Sequence, residues 1–568
     1  MMASEQASID RHTALGWWGD DTLDAHFLRN VQAHPNRLAI TDPPDRRALI
    51  GTDPQSLTYG ELNDRVNVQV AALREAGVRR EDIVVFQLPN VHEIVVILLA
   101  CARMGAIASP VVMQYDRAEL SEIFSQLNPA VYITVQRFKK RDMAASFRSL
   151  CAEHNVTLLG IDDLPIESTS QTRSPDDERR SATASNEVLT ICWTSGTEGQ
   201  AKGVLRSHNL WLSIGRMVGW GARLQDGDVI LNVRPMVNMA AIGGGFYSWL
   251  LAAGTLVLQH PLDMTLVVDQ IRERRVTVTF MPPAFIVALL KDPALRSRAD
   301  LSSLRVMGSG SAALPEWATL EMASQFGVEI VNFFGSNEGV TLQSTAATVP
   351  DTQLRATHFA RMGREDIAWP DFDYAGQLET KLVDTETQEE ITEPGRAGEL
   401  LIRGSTIFSY YYRAPEQTKE AFDEAGFYRS GDLFEIEGDG SSLCYYKFVG
   451  RCRELIIRGG FNIAPAEIDN LLSDHPAINE VAAFGVADDR LGERIGVAVV
   501  LREAAQVTLD EVVRHLKSKH IANFKLPEGM VAVESLPRNP MQKVLRQALS
   551  ARYALVPGTA LLKEVASE

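Results

Sequence analysis

Short apolar runs rich in β-branched residues alternate with stretches of helical periodicity along the N-terminal part of the chain. Over residues 57–110 the two patterns trade places, with Ile83-Val84-Val85-Phe86 followed by a polar turn at Pro89-Asn90. Similar runs recur at 131–135, 255–258 and 276–280, each beside a helical stretch. Runs that are apolar throughout, rather than alternating, belong to strands covered on both faces, as in parallel sheets. The pattern therefore predicts an α/β architecture. The run at 94–102 stops at Arg103, too short to cross a bilayer, and reads as a buried helix.

Residues 162–187 break this rhythm with a polar stretch that includes Asp176-Asp177-Glu178-Arg179-Arg180. Such a stretch reads as a surface connection whose charges form a solvated face. After Gly398 the chain turns to short strands with Gly and Asp turns, at 398–404 and across 427–446, which predicts a small β-rich region. A separate α+β unit is expected to begin near Gly450-Arg451, with helices over 463–472 and 509–519 beside a strand at 496–500. The predicted division is 1–450 and 451–568, and there is no internal repeat.

Composition adds limits rather than a function. A chain of 568 residues exceeds what one hydrophobic core supports, consistent with that division. Lys plus Arg (56) against Asp plus Glu (73) gives a net charge of −17, which argues against general affinity for nucleic acid or anionic membrane. A polyanionic ligand must therefore meet a local site. The five cysteines are scattered without a C-x-x-C pair, so neither a disulfide framework nor a thiolate metal site is expected and a reducing cytoplasm fits. The segment MMASEQASIDRHT lacks a basic stretch followed by an apolar core, so no secretory signal and no integral membrane segment are expected.

The candidate chemistry starts at Thr194-Ser195-Gly196-Thr197-Glu198-Gly199-Gln200-Ala201-Lys202-Gly203. Glycines and hydroxyl residues let backbone N–H groups and side chains converge on phosphate oxygens, and Lys202 adds a point charge. The apolar stretch 188–193 reads as the strand that delivers this loop. A Walker A loop needs Lys directly after its second Gly and a hydroxyl residue next; here Ala201 precedes Lys202 and Gly203 follows it, so that reading fails.

The pattern T-S-G-T-x-G-x-x-K-G resembles the signature of the adenylate-forming superfamily, which holds acyl-CoA synthetases, adenylation domains and firefly-type luciferases. Four further segments resemble its other motifs in the same order. Asn332-Phe333-Phe334-Gly335-Ser336-Asn337-Glu338 looks like the aromatic-Gly-x-Thr-Glu motif, with Asn337 where Thr is usual and Glu338 as the magnesium-holding acid. Phe334 would give a purine a flat apolar face, and Glu338 a hard oxygen ligand to the ion; the Asn337 amide would keep a phosphate contact. Ser309-Gly310-Ser311 resembles the adenine-side loop. Tyr428-Arg429-Ser430-Gly431-Asp432 resembles the motif whose Asp accepts from the ribose hydroxyls. The run from Gly450 to Asp469 matches the junction motif, which implies Arg451 on the ribose, Arg453 as the hinge and Gly459-Gly460 beside the thiol tunnel. The stretch Pro537-Arg538-Asn539-Pro540-Met541-Gln542-Lys543 resembles the segment of the catalytic lysine, so Lys543 inherits that role, with Gln542 where Gly is usual.

The resemblance implies an N-terminal AMP-binding adenylation domain over 1–450 and a mobile C-terminal domain over 451–568. It implies ATP, Mg2+ and coenzyme A as cofactors, a small carboxylic acid as substrate, and leaves room for a homodimer. AMP transfer converts a carboxylate, whose leaving group would be oxide, into a mixed anhydride that a thiol can attack. Asn238 stands where the family commonly has His near the substrate carboxylate, and Gly243-Gly244 follow at the acyl-pocket position. Small residues there would leave room for a bulky acyl group, or equally let helices pack closely. No basic residue stands out nearby to recognise a second carboxylate, which favours a cyclic, aromatic or medium-chain acid. An acid–thiol ligase leads; the alternatives are a carrier-protein-loading adenylation enzyme, a luciferase-like oxygenase and a catalytically silent nucleotide-binding homologue. Glu198 is expected to point outward from the loop, toward Arg206.

Overall fold

The computed structural model describes residues 1–163, 182–194, 201–310, 314–364, 367–369, 372, 374–439, 442–459, 461–488, 490–539, 543–555 and 562–564. Two largely parallel sheets occupy the N-terminal part. One has eight strands in the order Thr341–Ser344, Glu329–Gly335, Val306–Gly310, Val278–Met281, Val229–Asn232, Thr255–Leu258, Leu38–Thr41 and Ser56–Thr58, antiparallel only at its two edges. The other has six strands and runs from Lys202–Ser207 through Val188–Thr194, Ile107–Pro110, Ile83–Gln87 and Val131–Thr134 to Thr157–Gly160. Its only antiparallel pair is the hairpin of Val188–Thr194 with Lys202–Ser207. These strands are the apolar runs of the sequence, buried on both faces as parallel strands require.

The helix His92–Met104 contains the expected buried run, and ends at Gly105, whose φ of 70° is the left-handed conformation of a helix C-cap. Helix His208–Gly221 is buried over most of its length and packs against the π-helical turn Ala240–Phe246. After residue 357 an antiparallel sheet takes over, ordered His358–Ala360, Ser442–Arg451, Tyr428–Asp439, Gly398–Gly404, Leu378–Val383 and Glu390–Ile391. This is the β-rich region expected after Gly398, extended by strands that precede it.

The last part of the chain builds its own sheet, with Gly492–Leu501 paired to Ile478–Asp488, to Ile456–Arg458 and, in parallel, to Gly529–Ala532. Helices Pro465–Leu472 and Leu509–Ser518 flank it, the second started by a Thr508–Glu511 capping box. The helix predicted from residue 463 starts later because Pro465 takes its first turn, while Phe461–Ile463 forms a strand. The polar connection 162–187 lies mostly outside the described residues. None of the five cysteines forms a disulfide; burial pushes the Cys101 thiol up to about 12. Among the described residues no helix is long and apolar enough to cross a membrane.

Candidate functional site

The hairpin that carries the phosphate loop places Thr194 directly opposite Lys202. Ser195, Gly196, Thr197, Glu198, Gly199 and Gln200 lie outside the described residues, as do Ser311, Gly460 and Gln542. The root of the loop is well built. Gly203 accepts a backbone hydrogen bond from Tyr412 at 2.7 Å, and a Cβ on Gly203 would come within 2.8 Å of Ile191. The next aromatic, Tyr411, has its ring 5.1 Å from Lys202 Nζ, and its hydroxyl donates to Glu338 Oε1 at 3.1 Å. Tyr411 thus connects the loop cation to the candidate metal-holding acid, a role the sequence reading missed. The run Tyr410-Tyr411-Tyr412 was its only signal.

Arg206, the expected neighbour of Glu198, is fully buried. It donates to Thr406 O at 2.8 Å and Leu210 O at 3.3 Å, with the Trp211 ring 5.0 Å away. Burial lowers its pKa to about 10, so the guanidinium stays charged at neutral pH. Asn337 bridges two segments of the site. Its Nδ2 donates to Trp193 O at 3.0 Å and its Oδ1 accepts from Met239 N at 2.8 Å, so the amide joins two protein segments.

Strand pairing brings the adenine-side motifs together, since Gly310 lies beside Phe333 in parallel register. A Cβ on Gly310 would lie 2.1 Å from Phe333 O, which explains the glycine. Phe333, Phe334, Gly335, Ser309 and Gly310 all line one cavity. Phe334 is held at its position by Phe434 and Phe448, with ring centroids 5.1 and 5.4 Å away. Asn332 instead faces the interior, donating to Ala356 O at 2.6 Å, and so supports the strand rather than the cavity. Ser309 Oγ and Ser336 Oγ are buried without a hydrogen-bond partner among the described residues.

Asp432 and Arg451 are cross-strand neighbours. Arg451 Nε lies 3.2 Å from Asp432 Oδ1, close enough for an ion pair, yet that oxygen lacks an aligned hydrogen bond. Burial pushes the Asp432 carboxyl up to about 6 against the pull of Arg451 and Lys543. Lys543 Nζ pairs with Glu454 Oε1 at 3.2 Å, and Arg546 Nε holds the other oxygen of Glu454 at 3.3 Å. Burial, then the charge of Arg451, lowers the Lys543 pKa below its ordinary value. Burial opposes ionisation of Glu454, but Lys543, Arg546 and Arg451 together hold its carboxyl below the usual range. Asn539 clasps the segment by accepting from Lys543 N and donating to Lys543 O, both at 2.9 Å. Arg453 is exposed in the 3-10 turn Cys452–Glu454, and Gly459, at φ 58°, is exposed too.

The expected acyl-pocket segment divides in two. A Cβ on Gly243 would meet Ile214 at 2.7 Å, so Gly243 serves helix packing; one on Gly244 would meet Phe280 only at 3.5 Å, across the cavity that Gly244 lines. Gly243→Val is accordingly expected to destabilise the fold by about 1–3 kcal/mol through overpacking. Gly244→Val should keep its melting temperature within a few degrees and shift acid preference to slimmer acids. Thermal melts and an acid panel on both variants check this, and equal behaviour of the two would refute the division. Asn238 Oδ1 accepts from Ala241 N at 3.2 Å, so this side chain caps the turn that carries the glycines.

A basic residue does line the cavity, against the sequence expectation. Arg234 sits before Pro235, beyond the end of strand Val229–Asn232, and is half-buried in the cavity wall. Asn90 grips its backbone by donating to Arg234 O at 2.8 Å and accepting from Met236 N at 3.2 Å. The reading of residues 238–245 missed it because the cavity is assembled from several strand ends, not one segment.

For a metal, Glu338 is the fitting candidate, a buried acid beside the phosphate-loop root with Tyr411 on one of its oxygens. The cluster Asp42, His92 and Glu93 also has ligand-like spacing, but Arg46 fills it. Its guanidinium donates to Asp42 at 2.9 Å and to Glu93 at 2.8 and 2.6 Å, so both acids already have a cationic partner.

Residues 29–412 match the family model described as AMP-binding enzyme, and residues 467–543 match its C-terminal domain. The chain is 28% identical over 539 residues to the medium-chain fatty-acid–CoA ligase of Escherichia coli, covering 93% of this chain and 90% of that one. It is 31% identical over 529 residues to the indoleacetate–CoA ligase of Aromatoleum aromaticum, covering 91% and 95%. The solved structure of ATP-bound MatB from Rhodopseudomonas palustris shares the fold with a TM-score of 0.75 at 24% identity, covering 93% and 98%. With its loop root, its Asp432–Arg451 pair and its two matched regions in one order, the chain belongs to the AMP-binding family of adenylate-forming enzymes.

Proposed function

We propose that this protein is an AMP-forming acid–CoA ligase acting on a cyclic, aromatic or medium-chain carboxylic acid. The observation that carries the reading is that Asp432 lies within electrostatic reach of Arg451, Lys543 and Glu338, while Tyr411 links Glu338 to Lys202, groups drawn from distant parts of the chain and interpreted through the family. Domain boundaries at 1–450 and 451–568 suit it, because the Cys452–Glu454 turn separates the sheet bearing Asp432 from the sheet beginning at Ile456.

In this reading ATP lies with its adenine along Phe334 and Gly310 and its ribose hydroxyls on Asp432. The buried Oδ1 of Asp432 lacks an aligned donor, and two hydroxyls would supply one. The phosphates fall between the Thr194–Lys202 root and Lys543. Magnesium on Glu338 would neutralise charge on the phosphates. The substrate carboxylate attacks the α-phosphorus in line, and pyrophosphate leaves. Lys543 offsets the negative charge that accumulates there. The apolar walls of Ile214, Val218, Phe280 and Val340 exclude water from the acyl group. Rotation about Arg453 would then withdraw Lys543 and present the Gly459–Gly460 face to the thiol of coenzyme A.

The test is a panel of acids with ATP and magnesium, with and without coenzyme A. Acid-dependent pyrophosphate release, with AMP and acyl-CoA formed only when coenzyme A is present, is the expected result. Pyrophosphate without any acyl-CoA would move the acceptor to a carrier-protein thiol. No pyrophosphate with any acid would overturn the reading.

A further inference from the structure

The C-terminal unit meets the large domain far from the hinge as well as at it. Lys291, in the last turn of helix Pro283–Lys291, reaches across and donates from Nζ to Ser473 O at 3.0 Å. Ser473 caps the C-terminal end of helix Pro465–Leu472, where the last carbonyls have no partner within the helix and the helix dipole is negative. A cation is the fitting partner there. On the large-domain side the ring of Trp317, in helix Glu316–Phe326, lies 5.2 Å from the same ammonium and restricts it before the contact forms. Glu321 and Asp474 are the acids that face Lys291, and Arg502 is the cation. Asp474 is already paired with His515 at 2.9 Å and Lys519 at 2.5 Å, so the helix-end carbonyl is the aligned partner of Lys291.

Helix Pro465–Leu472 connects this contact to Lys543. Asp469 on the helix accepts from Arg546 Nη2 at 2.6 Å, Arg546 Nη1 donates to Ala483 O at 2.7 Å, and Arg546 Nε lies 3.3 Å from the Glu454 carboxylate that pairs with Lys543. At the other end of the helix Ala464 packs under Gly450, where a Cβ would meet it at 3.2 Å. With the helix held at both ends, Lys543 lies within electrostatic reach of Asp432. Its eight residues span about 12 Å, so a turn of about 30° at the hinge would carry Ser473 roughly 6 Å away, beyond hydrogen-bond reach. Resting on the ligase reading above, we propose that Lys291 is a positioning residue that latches the C-terminal unit in its adenylating orientation, and that the thiol step requires this latch to open. The ammonium favours one orientation and has no such contact in the other, which is the condition for biasing a two-state equilibrium.

The experiment uses the full chain with spin labels on Leu320→Cys, exposed on the large domain, and Lys517→Cys, exposed on helix Leu509–Ser518. Cys452→Ser removes the one native cysteine that is not buried. Pulsed dipolar spectroscopy with ATP and magnesium, and no acid, reads the separation of the two units. Pyrophosphate exchange with the acid panel and thiolysis of a supplied acyl-adenylate read the half-reactions. The parent protein is expected to show one dominant separation. Lys291→Met, which keeps the length of the side chain and its packing on Trp317, should lower the ratio of latched to released molecules about tenfold, as loss of a charge-assisted hydrogen bond implies. Lys291→Arg keeps a cation at the helix end and should restore most of that ratio. In Lys291→Met thiolysis should rise, by up to about tenfold, while exchange does not. Unchanged separations in Lys291→Met overturn the proposal. An equal shift in Lys291→Arg also overturns it, because the contact would then not be that of a cation with a helix end, and so does a loss of both half-reactions together. Shifted separations with no pyrophosphate from any acid would leave the latch standing and count against the ligase reading instead.

Discussion

Lys543→Ala is expected to lower acyl-adenylate formation by about a hundred- to a thousandfold, the usual effect of removing one positioned group that stabilises transition-state charge. ATP binding should change little. The structural basis is that Lys543 lies within electrostatic reach of Asp432 and is paired to Glu454 at 3.2 Å. Its removal does not strand that acid, since Arg546 still holds the other oxygen. Burial of an unpaired carboxylate is the usual route by which such a substitution unfolds a site, and Arg546 closes it. Acid-dependent exchange of pyrophosphate into ATP measures the first half-reaction, and melting temperature separates chemistry from folding. Thiolysis of a supplied acyl-adenylate should survive the substitution. Unchanged exchange would sink the assignment of Lys543.

Asp432→Asn should produce the opposite signs in stability and in binding. The folded protein holds the Asp432 carboxyl near 6, against an ordinary 3.8, because burial disfavours the anion. Between those two values the folded state binds more protons than the unfolded state, so stability falls as pH rises through this window. Above pH 6 the accumulated cost is about 3 kcal/mol, from roughly two pKa units at 1.36 kcal/mol each. Asn carries no charge to bury, so the variant is expected to melt higher than the wild type at pH 7.5. The gap should close toward pH 4. Nucleotide affinity should fall at least tenfold at pH 7.5, since an amide cannot accept from two ribose hydroxyls as a carboxylate does. A melting gap that does not vary with pH would refute the electrostatic account, and unchanged ATP affinity would refute the ribose contact.

What the sequence made legible follows from how locally each feature is encoded. Val131–Thr134 and Thr255–Leu258 announce themselves because a strand buried on both faces needs an apolar residue at every position. Lys202 could be picked out within its glycine- and hydroxyl-rich stretch, and Glu338, Asp432 and Lys543 through the resemblance of their stretches to the family's motifs. Three features escaped. Arg234 reaches the cavity through a turn held by Asn90, a partner 144 residues away in sequence. Tyr411 gains meaning only where the antiparallel sheet meets the hairpin of Val188–Thr194 and Lys202–Ser207. The separate duties of Gly243 and Gly244 depend on which face meets Ile214, and adjacent glycines look alike until the π-helical turn is known. Asn332 was assigned to the cavity by motif alone, and its side chain instead donates to the backbone of Ala356.

The Asn337 amide has one face on the strand leading to the phosphate loop and the other on the turn leading to the acyl pocket. A Thr at this position has a single polar atom and could hold only one of them firmly. Under the ligase reading, an acid at the pocket and a nucleotide at the loop would therefore meet segments fastened to one and the same amide.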